Sequence, residues 1–235
     1  MIVNQSIAIS TSAVLLVPYE KSHVTTYHSW MKDAEIQEAT ASEPLSLEEE
    51  YAMQKTWRND ADKLTFIVCE PLEELSTTRS KISSSVSTPE KMIGDVNLFL
   101  SPADEDAEGC IGELELMIAP ASKRRRGYGR AAILTFLHYI QTHLVDILSE
   151  YKEMRKVEKM LLLQLKVKIG SKNVKSINLF ESINFLNVGE GANYFGEVEF
   201  VFEGILGVER TSGLLDKFGV EKYQELAYFE DECDV

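Results

Sequence analysis

The chain has 235 residues, of which 44% are hydrophobic and 26% are charged, which is enough apolar material for one sizeable core. It carries 24 Lys and Arg against 38 Asp and Glu, and this net charge of -14 disfavours binding to nucleic acid or to an anionic membrane. No run of about 18 apolar residues predicts a membrane-spanning helix, and the N-terminus lacks the pattern of a secretory signal. Cys69, Cys110 and Cys233 form no C-x-x-C pair, so we expect a reducing, cytoplasmic location.

In the first half of the chain, short apolar runs at residues 14–17 and 64–70 predict strands. A helix is expected over residues 23–32. A second one should begin after Ser46, because Ser46 and Glu49 have the spacing of a capping box. Residues 76–88 hold nine Ser or Thr in 13 positions, and we expect residues 76–90 to form a flexible insertion.

The second half of the chain predicts alternating strands and helices. Two strands, over residues 92–100 and 112–119, should be joined by an acidic turn. Apolar residues then recur at helical spacing from Ile133 to Leu148, which predicts one long helix. Further along the chain, the pattern predicts a buried parallel strand at 160–169, a helix at 174–182 and strands near 185–189 and 197–204. Residues 206–235 look like an acidic C-terminal extension, so the chain should form one α/β (α+β) domain.

One loop carries a clear chemical signal. KRRRGYGR, at 123–130, follows a strand and opens a helix, whose free N–H groups and partial positive charge suit phosphate oxygens. Gly127 and Gly129 allow close approach of a ligand to the backbone. Five cations in eight positions stand out in a chain this acidic. The sequence therefore predicts a phosphate-binding loop.

Three phosphate motifs compete for this loop. The chain has no G-x-x-x-x-G-K-[ST] string, which excludes a P-loop. Gly127, Gly129 and Ala132 match a Rossmann G-x-G-x-x-A, but eight residues separate Ile118 from Gly127 where the motif requires an immediate turn. Arg124, Gly127 and Gly129 instead match the R/Q-x-x-G-x-G/A loop of the GNAT acyltransferase superfamily.

With IGSKNVKSINLFESINF downstream, the chain resembles this superfamily over residues 13–205, and its N-acetyltransferase 9-like subfamily in particular. VPYEKSHVTTYHSWMK, ASEPLSLEEEYAMQ, GDVNLFL and GELELMIA carry the same resemblance. It implies a single domain with a mixed, mostly antiparallel sheet, splayed central strands and flanking helices. It also implies transfer of an acetyl group from acetyl-CoA to a primary amine, of a protein or peptide, by direct attack in a ternary complex.

The resemblance also implies where acetyl-CoA binds. Its pyrophosphate would lie on the N–H groups of the loop, and a backbone N–H of the preceding strand would stabilise the oxyanion. The implied contact residues are Met117, Ile118, Ala119, Arg124, Arg125, Arg126, Gly127, Tyr128, Gly129, Arg130, Asn173, Ser176 and Phe180. For both Asn173 and Ser176 a helix cap is the alternative interpretation, and for Ser176 it has the same weight as contact with the cofactor.

Proton transfer should involve carboxylates. Glu113 and Glu115 alternate with leucines, so both lie on one face of their strand, and either could be the general base or simply face solvent. Phe180 stands where many family members have the tyrosine that protonates the leaving thiolate, and Tyr194 is a candidate substitute.

The partners expected are a protein or peptide amine, with no nucleic acid, no membrane and no metal. The chain itself is expected to be a monomer or weak homodimer. Residues 48–50 and 104–106 are acidic and could attract a cationic amine. Because Phe180 has no proton to donate, a non-catalytic acyl-CoA-binding or interaction protein is the alternative.

Overall fold

The computed structural model describes residues 1–73, 80–103, 108–189, 191–202 and 207–231. The strands it contains are β1 (Ile7–Ser10), β2 (Leu15–Pro18), β3 (Lys63–Cys69), β4 (Lys81–Ser83), β5 (Met92–Pro102), β6 (Gly109–Ile118), β7 (Leu161–Gly170), β8 (Phe185–Asn187), β9 (Glu197–Phe202) and β10 (Gln224–Phe229).

The α-helices are α1 (Val24–Trp30), α2 (Ala34–Ala39), α3 (Leu47–Asn59), α4 (Tyr128–Thr142), α5 (Leu144–Arg155), α6 (Val174–Ser182) and α7 (Val208–Lys217). The predicted capping box is confirmed at α3: the Ser46 side chain accepts from the Glu49 N–H, and the Glu49 carboxylate accepts from the Ser46 N–H.

All ten strands form one sheet in the order β4-β10-β1-β2-β3-β5-β6-β7-β9-β8. The pairs β6–β7 and β10–β4 are parallel and the other pairs are antiparallel. The predicted mixed, mostly antiparallel sheet flanked by helices is therefore confirmed.

The two central strands separate partway along their length. The β6–β7 pairing runs from Gly109 and Leu161 to Glu113 and Lys166. Beyond that point β6 continues to Ile118 on its pairing with β5 alone, and β7 continues on its pairing with β9. The strands thus leave a gap between their C-terminal halves, as expected from the resemblance.

The sheet has one apolar and one polar central face. Strand alternation and register place on one face a set of apolar side chains that pack with those of α4: Leu64, Phe66, Val96, Leu98, Leu114, Val167 and Ile169. The opposite face, here called the polar face, carries Lys63, Thr65, Asp95, Asn97, Glu113, Glu115, Lys166 and Lys168.

The prediction of one long helix from Ile133 to Leu148 is wrong. The chain bends by 72° between α4 and α5, at His143. His143 holds the bend through Glu225 of β10, with Nε2 to Oε2 at 2.9 Å, and its ring lies 4.3 Å from that of Tyr139. The apolar period continues across the bend, so periodicity alone could not detect it. Among the described residues, no single helix is long and apolar enough to cross a membrane; α4 and α5 pass that test only as this bent pair.

Strand β7 is parallel to β6 as predicted, but its first half is not buried. Leu161 and Leu163 are 60% and 61% exposed, whereas Leu165 and Val167 are in the core. In the described residues, the first half pairs with β6 alone, whereas from Lys166 onward β7 pairs with β9.

Residues 80–90 differ from the flexible insertion predicted there; residues 76–79 lie outside the described part. Strand β4 pairs with β10 and buries Ile82, and the buried Ser87 hydroxyl lies 2.9 Å from Nε2 of His23 and 3.1 Å from the hydroxyl of Tyr228. These contacts come from residues far away in the sequence, which a local composition argument cannot include.

The segment predicted as a C-terminal extension is part of the fold. Strand β10 pairs with β1 inside the sheet, and α7 buries Leu214 and Leu215 in the same core as α4. Residues 208–229 therefore complete the domain, although they follow the part of the chain that resembles the superfamily.

Candidate functional site

The loop between β6 and α4 is held in place by the side chain of Arg124. Its Nε donates to the carbonyl of Ile118 and its Nη2 to that of Ala119, both at 2.9 Å. The guanidinium is therefore bonded to the end of β6, so its positive charge is close to the loop but its donors are partly used.

The backbone amides of the loop are free. In the described part of the chain, no protein group accepts a hydrogen bond from the N–H groups of residues 125–130. The first helical bond of α4 runs from the Ala131 N–H to the Gly127 carbonyl, at 3.0 Å. Gly127 is the N-cap with φ of 89°, a left-handed conformation that glycine adopts without strain. The helix start thus offers several donors and its dipole to an anion.

Of the five cationic side chains of the loop, three contact other groups of the protein and two are exposed to solvent. Besides Arg124, the Lys123 ammonium donates to Oε1 of Glu70 at 2.7 Å, and the Arg130 guanidinium lies 4.7 Å from the ring centroid of Phe218. Arg125 and Arg126 are exposed. These two are the cations best placed to meet a phosphate group from solvent.

Glu70, which directly follows β3, contacts this loop and was not predicted from the sequence. Its carboxylate accepts from Lys123 and, at 3.2 Å, from the Tyr128 hydroxyl. The Lys123 hydrogen bond holds the pKa of Glu70 below its usual range. Glu70 thus links the two ends of the loop, and no local pattern could reveal this, because it lies 53 residues before Lys123.

The direction of each backbone N–H at the end of β6 decides which of them can act as the oxyanion donor. The Ala119 N–H donates to the Ile93 carbonyl of the strand-β5 side at 2.9 Å, so it is not available. Successive N–H groups along a strand point to opposite edges, which directs the Met117 N–H toward β5 as well. The Ile118 N–H points toward the gap. Of Met117, Ile118 and Ala119, only Ile118 keeps the predicted geometry.

The two candidate bases have different surroundings. The Glu113 carboxylate lies 2.9 Å from Nζ of Lys168 and 3.9 Å from that of Lys166. Glu115 is open to solvent, but it lies on the floor of the polar face, among Lys63, Asp95 and Glu113. Partial desolvation there raises the pKa of Glu115, and the positive charge of Lys63 opposes the rise. Glu115 is the better placed of the two to accept a proton.

Behind Glu115 lies a buried polar network. Asp95 accepts from Nδ2 of Asn97 at 2.7 Å and from the Tyr27 hydroxyl at 3.4 Å, and Asn97 accepts from the Thr65 hydroxyl at 2.7 Å. Burial raises the pKa of Asp95 to about 6. A charged residue inside the strand segment MIGDVNLFL was the available signal for this network.

Three of the predicted contact residues lie in α6 or cap it. Oδ1 of Asn173 accepts from the Ser176 N–H at 3.2 Å, which is the helix cap that the sequence left open as the alternative. Phe180 is buried, and its ring packs on Phe185 with centroids 5.2 Å apart. Its ring therefore belongs to the core, and its contact with the cofactor stays a prediction.

Tyr194 lies on an exposed loop. Its side chain is 96% exposed on the loop between β8 and β9, and its ring packs on the neighbouring Phe195. Proton donation from Tyr194 to a leaving group stays a prediction.

The acidic rim expected near α3 is smaller than predicted. Glu48 and Glu49 are exposed, but Glu50 is buried beneath α1 and lies 3.8 Å from Nδ1 of His28. Residues 104–106 lie outside the described part. Within the ranges that the structure describes, no three His, Cys, Asp or Glu side chains are grouped to hold a metal ion.

Comparison with known proteins identifies the family. Residues 13–186 match the model of the Acetyltransferase (GNAT) domain. The N-acetyltransferase 9-like protein of Schizosaccharomyces pombe is 39% identical over 85% of this chain and 97% of its own length. The protein of the same name from Dictyostelium discoideum is 36% identical over 97% of this chain and 98% of its own. A Homo sapiens relative, named Alpha/beta-tubulin-N-acetyltransferase 9, is 39% identical over 84% of both chains.

Solved structures share the fold. The spermidine N-acetyltransferase of Vibrio cholerae, solved in complex with CoA and spermine, superposes with a TM-score of 0.56. The match covers 81% of this chain and 94% of that one at 18% identity. A likeness at this level of identity concerns the backbone arrangement alone.

Proposed function

Because the chain belongs to the GNAT acetyltransferase family and is an N-acetyltransferase, we propose that it transfers the acetyl group of acetyl-CoA to a primary amine of a protein or peptide. Acetyl-CoA is chosen as the acetyl donor because unpaired backbone amides lie at the start of α4, next to the gap between β6 and β7.

The pyrophosphate of CoA fits the donors that this loop offers. The N–H groups of residues 125–130 have no acceptor among the described residues, and the helix dipole adds positive potential at Gly127. Arg125 and Arg126, both exposed, can contact further phosphate oxygens. Arg124 contributes by fixing the carbonyls of Ile118 and Ala119, which sets the loop against β6.

The gap between β6 and β7 provides the place for the acetyl group. There, the Ile118 N–H is directed away from β5 and can donate to an acyl oxygen as negative charge develops on it. This role belongs to the backbone. The Arg124 hydrogen bonds to the adjacent carbonyls keep the strand end rigid, so the donor needs little reorganisation during the reaction.

Glu115 is the proposed general base. An amine attacks only when it is uncharged, so its proton must be accepted on the polar face. The raised pKa of Glu115 suits this task, whereas the Glu113 carboxylate is held by Lys168 at 2.9 Å. The amine nitrogen would bond to the acyl carbon, its proton would pass to Glu115, and the bond from carbon to sulfur would break.

Departure of CoA does not require an acid from this chain. A thiol has a pKa of about 8.5, so a thiolate is a tolerable leaving group near neutral pH. The core position of Phe180 and the exposure of Tyr194 are therefore compatible with turnover.

A protein acceptor is proposed from the relatives and from the open polar face. Two relatives from Drosophila melanogaster and Homo sapiens are named as α/β-tubulin N-acetyltransferases. In this chain, an open depression of about 470 Å³ next to β9 is lined by residues that include Asn193, Glu197 and Glu199. Its carboxylates favour a cationic amine over a neutral or acidic substrate.

The test is product formation from acetyl-CoA and peptides, followed by mass spectrometry. One peptide has a free N-terminus and no lysine, and its partner has a blocked N-terminus and one lysine. We expect an acetylated product from at least one of them, a large loss of rate in Glu115→Gln and a smaller one in Glu113→Gln. Tight CoA binding by calorimetry without any acetylated product would instead support a non-catalytic CoA-binding protein.

A further inference from the structure

A lysine is enclosed on the polar face beside the proposed base. Lys63, the first residue of β3, is 3% exposed. Its Nζ lies 2.8 Å from the ring centroid of Trp57 and 3.8 Å from that of Phe99. Aromatic faces attract an ammonium group and replace part of its lost hydration. Burial lowers the pKa of Lys63, and the neighbouring carboxylates, Glu115 first, oppose this fall, while the two rings hold the ammonium at a fixed place.

The register of the sheet places Lys63 diagonally across the polar face from Glu115. Lys63 is paired with Phe99 of β5, and Phe99 is paired with Glu113 of β6, two residues before Glu115. All these side chains share the polar face, and Lys63 and Glu115 are two strand spacings and two residues apart, about 12 Å between their Cα atoms. Lys63 is the main positive charge acting on Glu115, and Glu115 is the main negative charge acting on Lys63.

We propose that Lys63 is a positioning residue for acetyl transfer, which acts through its charge to keep the Glu115 carboxylate ionised and able to accept a proton. This role rests on the proposed function of Glu115 as the base. Burial alone would favour the neutral acid, which cannot accept a proton from the amine, and the enclosed ammonium offsets that tendency. Trp57 and Phe99 contribute by keeping the ammonium in place.

Other charged groups also face this pair. Asp95 of β5, Glu113 of β6 and Lys168 of β7 act on Glu115. Asp95 also acts on Lys63, together with Asp60 and Asp62 from the turn before β3. Glu113 and Lys168 are paired at 2.9 Å, so their charges largely cancel at Glu115. Asp95 disfavours the ionised carboxylate, which leaves Lys63 as the cation that supports it.

The experiment replaces Lys63 with Met, which keeps the length of the side chain and removes its charge. A unit charge at about 12 Å and an effective dielectric constant of about 20 corresponds to about one pH unit. In Lys63→Met, the carboxyl pKa of Glu115, measured by carbon-13 NMR, should rise by about one unit. The acid limb of kcat/KM against pH should move by the same amount. Activity below that limb should fall about tenfold, and the plateau at high pH should stay within about twofold.

Three further variants make the result specific. Lys63→Arg keeps the charge and should keep the acid limb, while Lys91→Met removes a cation paired with Glu73 at the protein surface and should leave the limb unchanged. Glu115→Gln identifies the carboxyl resonance. Thermal midpoints for all variants show whether folding is affected, and the NMR titration remains valid in a destabilised but folded variant.

The outcomes separate this inference from the proposed function. An unchanged carboxyl pKa of Glu115 in Lys63→Met overturns the inference, whatever the activity. A shifted carboxyl pKa with an unchanged rate profile overturns the catalytic role of both residues, because Glu115 would then not be the base. Parallel shifts in both measurements support the proposal.

Discussion

Gly127 is the position where the loop geometry can be tested most sharply. It caps α4 with φ of 89°, and a Cβ added there would meet no heavy atom within 4 Å. Replacement by Ala therefore causes no clash within the protein, and its cost is the left-handed backbone, about 1–2 kcal/mol for an L-residue. For a chain of this size that corresponds to a fall in Tm of about 2–8 °C.

The effect on ligand binding should be larger than the effect on stability. Relief of the strain rotates the peptide units on both sides of Gly127, and these carry amides that we assign to the pyrophosphate. Loss of one hydrogen bond to a charged group costs about 1.5–3 kcal/mol, so we expect CoA affinity to fall about ten- to hundredfold. Gly127→Val should bind more weakly still.

Gly129→Ala is the matched control, assayed by the same calorimetry and thermal denaturation. Its added Cβ would lie 3.4 Å from side-chain atoms of Leu116 and Leu179, which is ordinary contact, and the residue is helical. Both stability and CoA affinity should change by less than in Gly127→Ala. Equal CoA affinity in Gly127→Ala, Gly127→Val and the wild-type protein would refute the assignment of the loop.

The other predictions concern charge, pH and the C-terminal segment. Replacing both Arg125 and Arg126 with Gln should weaken CoA binding and reduce its dependence on salt concentration. Lys123→Gln should change the salt dependence of CoA binding less, because Lys123 is already paired with Glu70. The same salt dependence in both variants would contradict the proposed role of Arg125 and Arg126. Burial raises the pKa of Asp95 in the folded protein to about 6, so its ionisation lowers the free energy of unfolding as the pH rises from about 4 to 6. Between pH 4 and 7, denaturant titration should show wild-type protein losing about 3 kcal/mol relative to Asp95→Asn, and identical pH dependence would disprove the burial argument. Deleting residues 207–235 should abolish cooperative thermal unfolding, since it removes the strand between β4 and β1 and buried side chains of α7. A wild-type Tm in the deletion would show the segment to be dispensable.

Local signals account for most of the fold that the sequence predicted. The capping box at Ser46, the alternation in GELELMIA and the glycine loop before α4 are all decided within a few residues, and the structure keeps each of them. The bend at His143 depends instead on Glu225, and strand β4 depends on β10. Such long-range pairs have no local signature, so composition and periodicity could not reveal them.

In the candidate site, too, local patterns predicted some features and long-range contacts decided the others. The run of basic residues marked the loop, but it could not show that Arg124 is bonded to the end of β6 or that Lys123 pairs with Glu70. Period two placed Glu113 and Glu115 on one face, and only the neighbouring strands distinguish them. Sequence reasoning thus located the site and left the roles of individual side chains to tertiary contacts.

The most direct test of the account is the response of individual backbone amides to CoA, followed by proton–nitrogen NMR. Free N–H groups that receive a pyrophosphate should shift strongly, so residues 127–130 should give the largest changes and the bonded Ala119 amide a small one. If CoA binds while the resonances of residues 125–130 stay where they are, the phosphate site lies elsewhere and the transfer scheme built on this loop is wrong.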